Sequence, residues 1–258
     1  MSNRRKRQPQ RIKKDIDNEI ISMRQERENE SLSSLDYKIK LKFKNKKQKD
    51  FYDAILENRI TFVNAPAGVG KTLITLMAGL ELLKDPTQKI SKIIITKPIV
   101  EASASMGFLP GDLASKFSVY LHSFYTNIEK IIGNDSMRYL KEKNLIREVP
   151  LNFMRGNTFG EYDDLGNPIG MFCAADEMQN STVKEMKLFI SRMGEGTKLV
   201  ILGDIEQTDI KFKNGEKSGL EDAFERFKNI KGIGFVEFTE DDIVRDPFLI
   251  EIMKRYKI

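Results

Sequence analysis

The sequence predicts an α/β fold built on a mainly parallel sheet of five or more strands with helices on both faces. Two patterns carry that expectation. From Leu41 onward, apolar runs of strand length alternate with longer amphipathic stretches, the order that strand–helix–strand crossovers require. A glycine-containing turn, Ala65 to Thr72, stands directly between one such strand and one such helix. A chain of 258 residues, 40% of them hydrophobic, with a mean hydropathy of −0.42, fits a soluble globular protein with a sizeable core.

In chain order, residues 1–36 contain no aromatic side chain and too little apolar surface to offset the entropy of ordering. They are expected to form a mobile tail, with a short helix around 16–27. Strands are expected at 60–64, 92–96, 171–175, 199–203 and 233–238. Helices are expected at 71–84, 113–132, 137–144, 183–193, 220–228 and 247–256. Thr182 with Glu185, and Ser218 with Glu221, have the spacing of a capping box, in which two helix-end amides are satisfied reciprocally. Asp246 before Pro247 marks another helix start. The stretch 156–170, with Asp163, Asp164, Gly166, Asn167 and Pro168 clustered, reads as a turn-rich loop or hairpin.

Charge is uneven along the chain. The net charge is +5, yet residues 1–14 hold seven Lys/Arg and no acid, and 38–49 hold seven Lys and no acid. The body from residue 50 is therefore mildly acidic. Such runs are either solubilising or neutralise nucleic-acid phosphates. A single cysteine, Cys173, and a single histidine, His122, exclude an internal disulfide and a Cys/His zinc site. Cys173 reads as core, and His122 as packing or surface. No apolar run approaches the ~20 residues of a membrane helix, and the basic start has no apolar run behind it as a secretory signal would. The cytoplasm is the expected compartment.

The chemistry concentrates at three strand ends. Ala65-Pro66-Ala67-Gly68-Val69-Gly70-Lys71-Thr72 follows the strand ITFVN and precedes a helix, the context of a phosphate-binding loop. Its glycines let backbone amides point inward, and the helix presents its positive N-terminus. In that role Lys71 reaches the β- and γ-phosphates and the Thr72 hydroxyl ligates magnesium, so ATP and Mg2+ are the implied ligands. Ala65 stands where the strict pattern has glycine, a small-for-small change. The apolar run MFCAA then ends in Asp176-Glu177: Asp176 is positioned to hold the magnesium through water, and Glu177 to accept a proton from an attacking water. The run KLVIL leads into Gly203-Asp204-Ile205-Glu206-Gln207. In P-loop proteins with this acid pair, that strand lies between the other two, which places Gln207 to sense the γ-phosphate or position water.

With these motifs in place, the chain resembles the PhoH family of P-loop ATPases over about residues 44–256. The matching segments are APAGVGKT, TKPIVEASASMGFLPGDL, VPLNFMRG, ADEMQN, LGDIEQTDI, SGLEDAF and DIVRDPFLIEIMKRY. The resemblance implies a RecA-like core, related to the ATPase half of superfamily 1 helicases, over residues 37–258. It also implies nucleic acid as the partner, RNA or single strands foremost. Gln48 resembles the glutamine that reads the adenine edge, and Arg155 and Arg245 are candidates to bind the γ-phosphate. Lys97-Pro98 stands where the family suggests Arg-Pro.

About 220 residues leave no room for a second RecA-like domain of ordinary size, nor for the nuclease domain fused to some relatives. A homo-oligomer, a hexameric ring by the resemblance, is therefore expected to complete the site. An arginine from a neighbouring subunit would reach the nucleotide, Arg245 first and Arg155 second, with action within the same subunit left open. The resulting function is a nucleic-acid-dependent ATPase or helicase-like motor. The alternatives are a nucleotide-dependent binding module with little turnover and a P-loop kinase; the kinase is disfavoured because Glu177 beside Asp176 suits water activation.

Overall fold

A computed structural model describes residues 35–99, 122–154, 156, 158–210, 212, 215–246, 248, 251–252 and 255. Its centre is β1 (Ile60–Asn64), whose side chains are almost wholly enclosed. A strand buried on both faces reads as an unbroken apolar run, the mark of a parallel sheet covered on both sides. The remaining strands are β2 (Ile90–Thr96), β3 (Ile146–Glu148), β4 (Glu161–Tyr162), β5 (Pro168–Ala175), β6 (Lys198–Gly203) and β7 (Ile233–Glu237). They run in the order β3-β2-β5-β6-β1-β7, with β4 paired to β5. All pairs on that path are parallel, and the β4–β5 pair is antiparallel. β6 thus lies between β1 and β5, as expected for a P-loop protein with an acid pair.

Alternation along the strands divides the core in two. Val63, Ile93, Ile95, Phe172, Ala174, Val200 and Leu202 face one cluster. Phe62, Ile94, Cys173, Ala175, Leu199 and Ile201 face the other. The first face is covered by α1 (Lys46–Glu57), α2 (Lys71–Lys84) and α3 (His122–Ile132), the second by α5 (Val183–Ile190) and α6 (Gly219–Arg226). Between them in sequence, α4 (Asn134–Glu142) follows α3 and adds Leu140 to the first cluster. The second helix, KTLITLMAGLELLK, has nine buried residues, because it is apolar nearly all round and sits under its neighbours.

Two elements lie outside the sequence expectation. Helix α1 is hidden by its lysines, since only Gln48, Phe51 and Ile55 form its buried stripe. Strand β3 is three residues long with one buried side chain, too short for a period to show. The expected helices at 183–193 and 220–228 end earlier, at Ile190 and Arg226. Thr182 and Glu185 form the complete capping box, whereas at the next helix Ser218 accepts from the Glu221 amide and no return bond from the Glu221 side chain accompanies it. The acidic stretch 156–170 contains a hairpin: the Asp163 carboxylate accepts from the backbone of Leu165 and Asn167 and from the Asn167 side chain. Those bonds, the side-chain one first, hold Asp163 below the usual carboxylate range. Cys173 is fully buried, which pushes its thiol upward and leaves it a core residue. The expected tail helix, the first part of the helix at 113–132 and most of that at 247–256 lie outside the described residues, while Leu35, 3% exposed, already belongs to the core.

Candidate functional site

The C-terminal ends of β1, β5 and β6 meet at the Ala65–Thr72 loop, where open α/β sheets place their ligands. The Ala65 amide donates to the Gly203 carbonyl at the end of β6 at 2.9 Å, which ties the loop to the central strands. Gly68 (φ 98°) and Gly70 (φ 86°) adopt left-handed conformations, so the loop can reverse and enter α2 only with residues that tolerate positive φ. Lys71 Nζ donates to the Ala65 carbonyl at 3.0 Å, spanning the loop from its end to its start. The Thr72 hydroxyl donates to Asp176 Oδ2 at 2.7 Å.

That last contact joins the phosphate loop to the acid pair. Asp176 is 7% exposed, held at the end of β5 by its own amide on the Thr96 carbonyl, and accepts from the Glu177 amide at 3.0 Å. A hydroxyl and a carboxylate side by side form a hard-oxygen pair of the kind magnesium takes. Among the described residues there is no group of three His, Cys, Asp or Glu able to hold a metal alone. The donor chemistry of the Thr72–Asp176 pair fits such a cation.

Glu177 itself has φ +56°, a conformation uncommon for a residue with a side chain and concentrated at functional sites. Its Oε2 accepts from Gln179 Nε2 at 2.7 Å. The same Gln179 nitrogen reaches the Gln207 carbonyl at 3.2 Å, and its Oε1 accepts from the Asp204 amide at 3.1 Å. Asn180 exchanges bonds with Asp209, through Nδ2 to Oδ2 and through Oδ1 to the Asp209 amide, both at 2.8 Å. The Ile205 amide donates to Asn64 Oδ1 at 3.0 Å. The acid pair and the 203–209 loop are thus one hydrogen-bonded unit. Gln207 belongs to it through its backbone, with its side chain exposed. Gln179, Asn180, Asp204 and Asn64 carry this unit and were not singled out by sequence reasoning; the available signal was the run of hydrogen-bonding residues directly after both strand ends.

Three further segments approach the loop. Gln48, 4% exposed, donates from Nε2 to the Val69 carbonyl at 2.9 Å and accepts at Oε1 from the Lys44 amide at 2.7 Å. A primary amide keeps a second N–H and a second lone pair after those bonds, so an adenine edge remains within its capacity. The Val244 amide donates to the Gly68 carbonyl at 3.1 Å, and the Arg245 side chain lies over Gly68, where an added Cβ would sit 2.5 Å from Nε. Arg245 is thus beside the phosphate loop of its own chain. Lys97, at the end of β2, is half-buried, which lowers its pKa, while the nearby carboxylates of Asp176 and Glu177 pull it back up. A cation therefore faces the acid pair where an arginine was expected. Arg155 lies outside the described residues.

The structure brings Gln48, the 65–72 loop, Asp176, Glu177 and Arg245 to one place. The chain is similar to known proteins over most of its length. The PhoH-like protein of Bacillus subtilis (strain 168) is 38% identical over 216 residues, covering 84% of this chain and 64% of the relative. Protein PhoH of Escherichia coli (strain K12) is 34% identical over 217 residues, covering 83% and 57%. The chain thus spans less than two thirds of each of these relatives. The Pif1 helicase structure from Candida albicans superposes with a TM-score of 0.40 at 15% identity, covering 83% of this chain and 44% of that one, a likeness too distant to carry any argument. The family described as PhoH-like protein matches residues 40–257, a span that includes the phosphate loop, the acid pair and the arginine over Gly68, and the chain belongs to that family.

Proposed function

We propose that this chain binds ATP with magnesium at the 65–72 loop and hydrolyses it, with turnover driven by single-stranded nucleic acid, RNA foremost. The observation that carries the reading is the 2.7 Å bond from Thr72 to Asp176, because it closes a phosphate loop onto an acid pair. Magnesium, when bound, supplies charge neutralisation at the phosphates, with Thr72 and Asp176 as its protein oxygens.

The remaining work falls to side chains. Lys71 holds the β- and γ-phosphates. Glu177 takes the proton of the attacking water; with Oε2 committed to Gln179, Oε1 is the oxygen left to face that water. Arg245, over the loop of its own chain, supplies positive charge to the γ-phosphate oxygens as they gain negative charge. Gln48 reads the adenine edge, and Gln207 responds to the γ-phosphate through the unit that Gln179 holds together. A homo-oligomer, with a hexamer as its favoured size, is part of the proposal and rests on family membership.

Phosphate release by the full chain, with and without a single-stranded RNA, tests the reading. RNA-stimulated release supports it. Tight ATP binding without turnover would replace it with a nucleotide-dependent binding module, and phosphate transfer to an acceptor with a kinase.

A further inference from the structure

Residues 35–44 form no sheet pair, yet their burial alternates strictly. Leu35 and Tyr37 are buried and Ile39, Leu41 and Phe43 half-buried, while Asp36, Lys38, Lys40, Lys42 and Lys44 are exposed. A period of two is that of an extended chain with one face on the core, and the apolar five pack on the first core cluster. The segment is fixed along its length. The Tyr37 hydroxyl donates to the Leu80 carbonyl at 2.6 Å, Lys84 Nζ donates to the Tyr37 carbonyl at 2.6 Å, and the Lys40 amide donates to the Ile131 carbonyl at 3.0 Å. Four lysines therefore stand in a row on a rigid support.

None of Lys38, Lys40, Lys42 and Lys44 forms an ion pair among the described residues, whereas Lys46 and Lys49 on the next helix are paired with Asp50 and Asp53. Alternate residues of an extended chain lie at most ~7 Å apart, so the four lysines stand at even intervals along the row. On the apolar side of the segment, beside Lys38, lies a groove of 550 Å3 whose lining includes Lys38, Lys84, Phe43, Tyr52 and the acid Glu81. Phe43 and Tyr52 pack with ring centroids 5.2 Å apart, and both are half-buried. A basic track with aromatic faces beside it is the combination that holds single strands without sequence preference.

We propose that Lys38, Lys40, Lys42 and Lys44, with the Phe43–Tyr52 groove, form a track for the backbone of single-stranded nucleic acid. This rests on the nucleic-acid reading given above and assigns it a surface. At one end Asp36 is exposed, and beside it a second cavity is lined by Asp36 and Asp135, which disfavours a polyanion there. At the other end Lys44 hands its amide to Gln48, and Gln48 to Val69 of the phosphate loop. The row is thus joined to the phosphate loop through two hydrogen bonds of one glutamine.

The test uses the full chain and a fluorescent 20-nucleotide oligo-uridine, with affinity measured against salt. Lys38→Ala/Lys40→Ala/Lys42→Ala should flatten the log-affinity versus log-salt slope by about 2, since each neutralised single-strand phosphate contributes about 0.7. At ~0.15 M salt those three lysines together are worth about 50-fold in affinity. Lys38→Arg/Lys40→Arg/Lys42→Arg should bind as the parent does, and RNA-independent ATP turnover should be unchanged in both. The control triple Lys184→Ala/Lys187→Ala/Lys231→Ala should lose less than about threefold in affinity at unchanged slope. An unchanged slope in the track variant, or an equal loss in the control, overturns the track while leaving the nucleic-acid reading in place. A loss seen with poly-glutamate but not with oligo-uridine overturns it in favour of an acidic protein partner. Failure of the parent chain to bind oligo-uridine even at low salt removes the nucleic-acid reading and the track together.

Discussion

Replacing Gln179 with alanine isolates the link between the acid pair and the 203–209 loop. The side chain is 2% exposed and makes three hydrogen bonds, to Glu177, to the Gln207 carbonyl and from the Asp204 amide. The Asp204 amide loses its partner in a buried place, at about 1–3 kcal/mol for an unsatisfied donor. The bond to the Glu177 carboxylate adds less than the ~1.5–3 kcal/mol of a charged hydrogen bond, because Glu177 is exposed and regains water. A net loss of about 2–4 kcal/mol follows, or roughly 4–16 °C in melting temperature for a domain of this size. Catalysis should suffer separately. The Glu177 carboxylate loses the hydrogen bond that orients it, and misplacement by about 1 Å costs up to ~10²-fold in rate. ATP affinity, proposed to rest on Lys71 and the loop amides, should hold. Denaturation read beside steady-state phosphate release separates the two effects, with kcat falling about 10- to 100-fold and KM nearly constant. A folded Gln179→Ala chain with the parent kcat would refute the role of this residue as a positioning group.

Four other outcomes are expected. Lys71→Ala should abolish turnover and most nucleotide affinity, whereas Glu177→Gln should keep binding and slow hydrolysis by about 10²- to 10⁴-fold; isothermal titration and phosphate release read the two apart. Deleting residues 1–30, which spares the buried Leu35, should leave folding and basal turnover intact but weaken RNA binding, flattening the salt slope by about 0.7 for each phosphate the tail had neutralised; an unchanged slope would make the tail a solubilising segment. Gly68→Ala combines a left-handed φ of 98° with a Cβ 2.5 Å from Arg245 Nε, so it should cost about 1 kcal/mol or more in stability and displace Arg245, seen as slower phosphate release. Mixing Arg245→Ala with Glu177→Gln subunits should give no more activity than the two separate preparations, since Arg245 lies on its own loop; recovered turnover would place the arginine in trans.

How far the sequence could be read depended on whether a signal was local. The limits of β1 and α2 follow from sequence because an apolar strand and the Gly-Val-Gly-Lys-Thr turn both fall within residues 60–72, and the structure places the two elements at Ile60–Asn64 and Lys71–Lys84. Strand order was legible for β6, since a known motif order fixes which strand lies between two others. The placement of Gln179 was not, because its three partners come from two loops and no spacing in one segment encodes that meeting. Helix α1 escaped for the opposite reason: its lysines suggested a solvated run, while three residues at helical spacing carry its burial. The arginine over Gly68 depends on a chain reversal after β7, which tertiary packing decides.

The contacts around the phosphate loop suggest how nucleotide and polynucleotide could affect each other. Three carbonyls of the turn are held by different residues: Val69 by Gln48, Gly68 by Val244, Ala65 by Lys71. Gln48 leads back to the lysine row, Val244 continues into Arg245, and Thr72 leads through Asp176 to Glu177 and the 203–209 loop. A phosphate drawing Lys71 away from Ala65 would loosen one of these holds and leave the others. Because packed interiors switch between discrete arrangements and do not deform continuously, such a change is better transmitted through Gln48 and Gln179, which are 4% and 2% exposed, than through exposed side chains. Coupling is reciprocal: if RNA on the lysine row tightens ATP binding by some factor, ATP must tighten RNA binding by the same factor. An equilibrium titration of each ligand in the presence of the other, on the Glu177→Gln chain where hydrolysis is slow, measures both factors. Unequal factors would mean that the two ligands do not meet through one closed cycle on one chain.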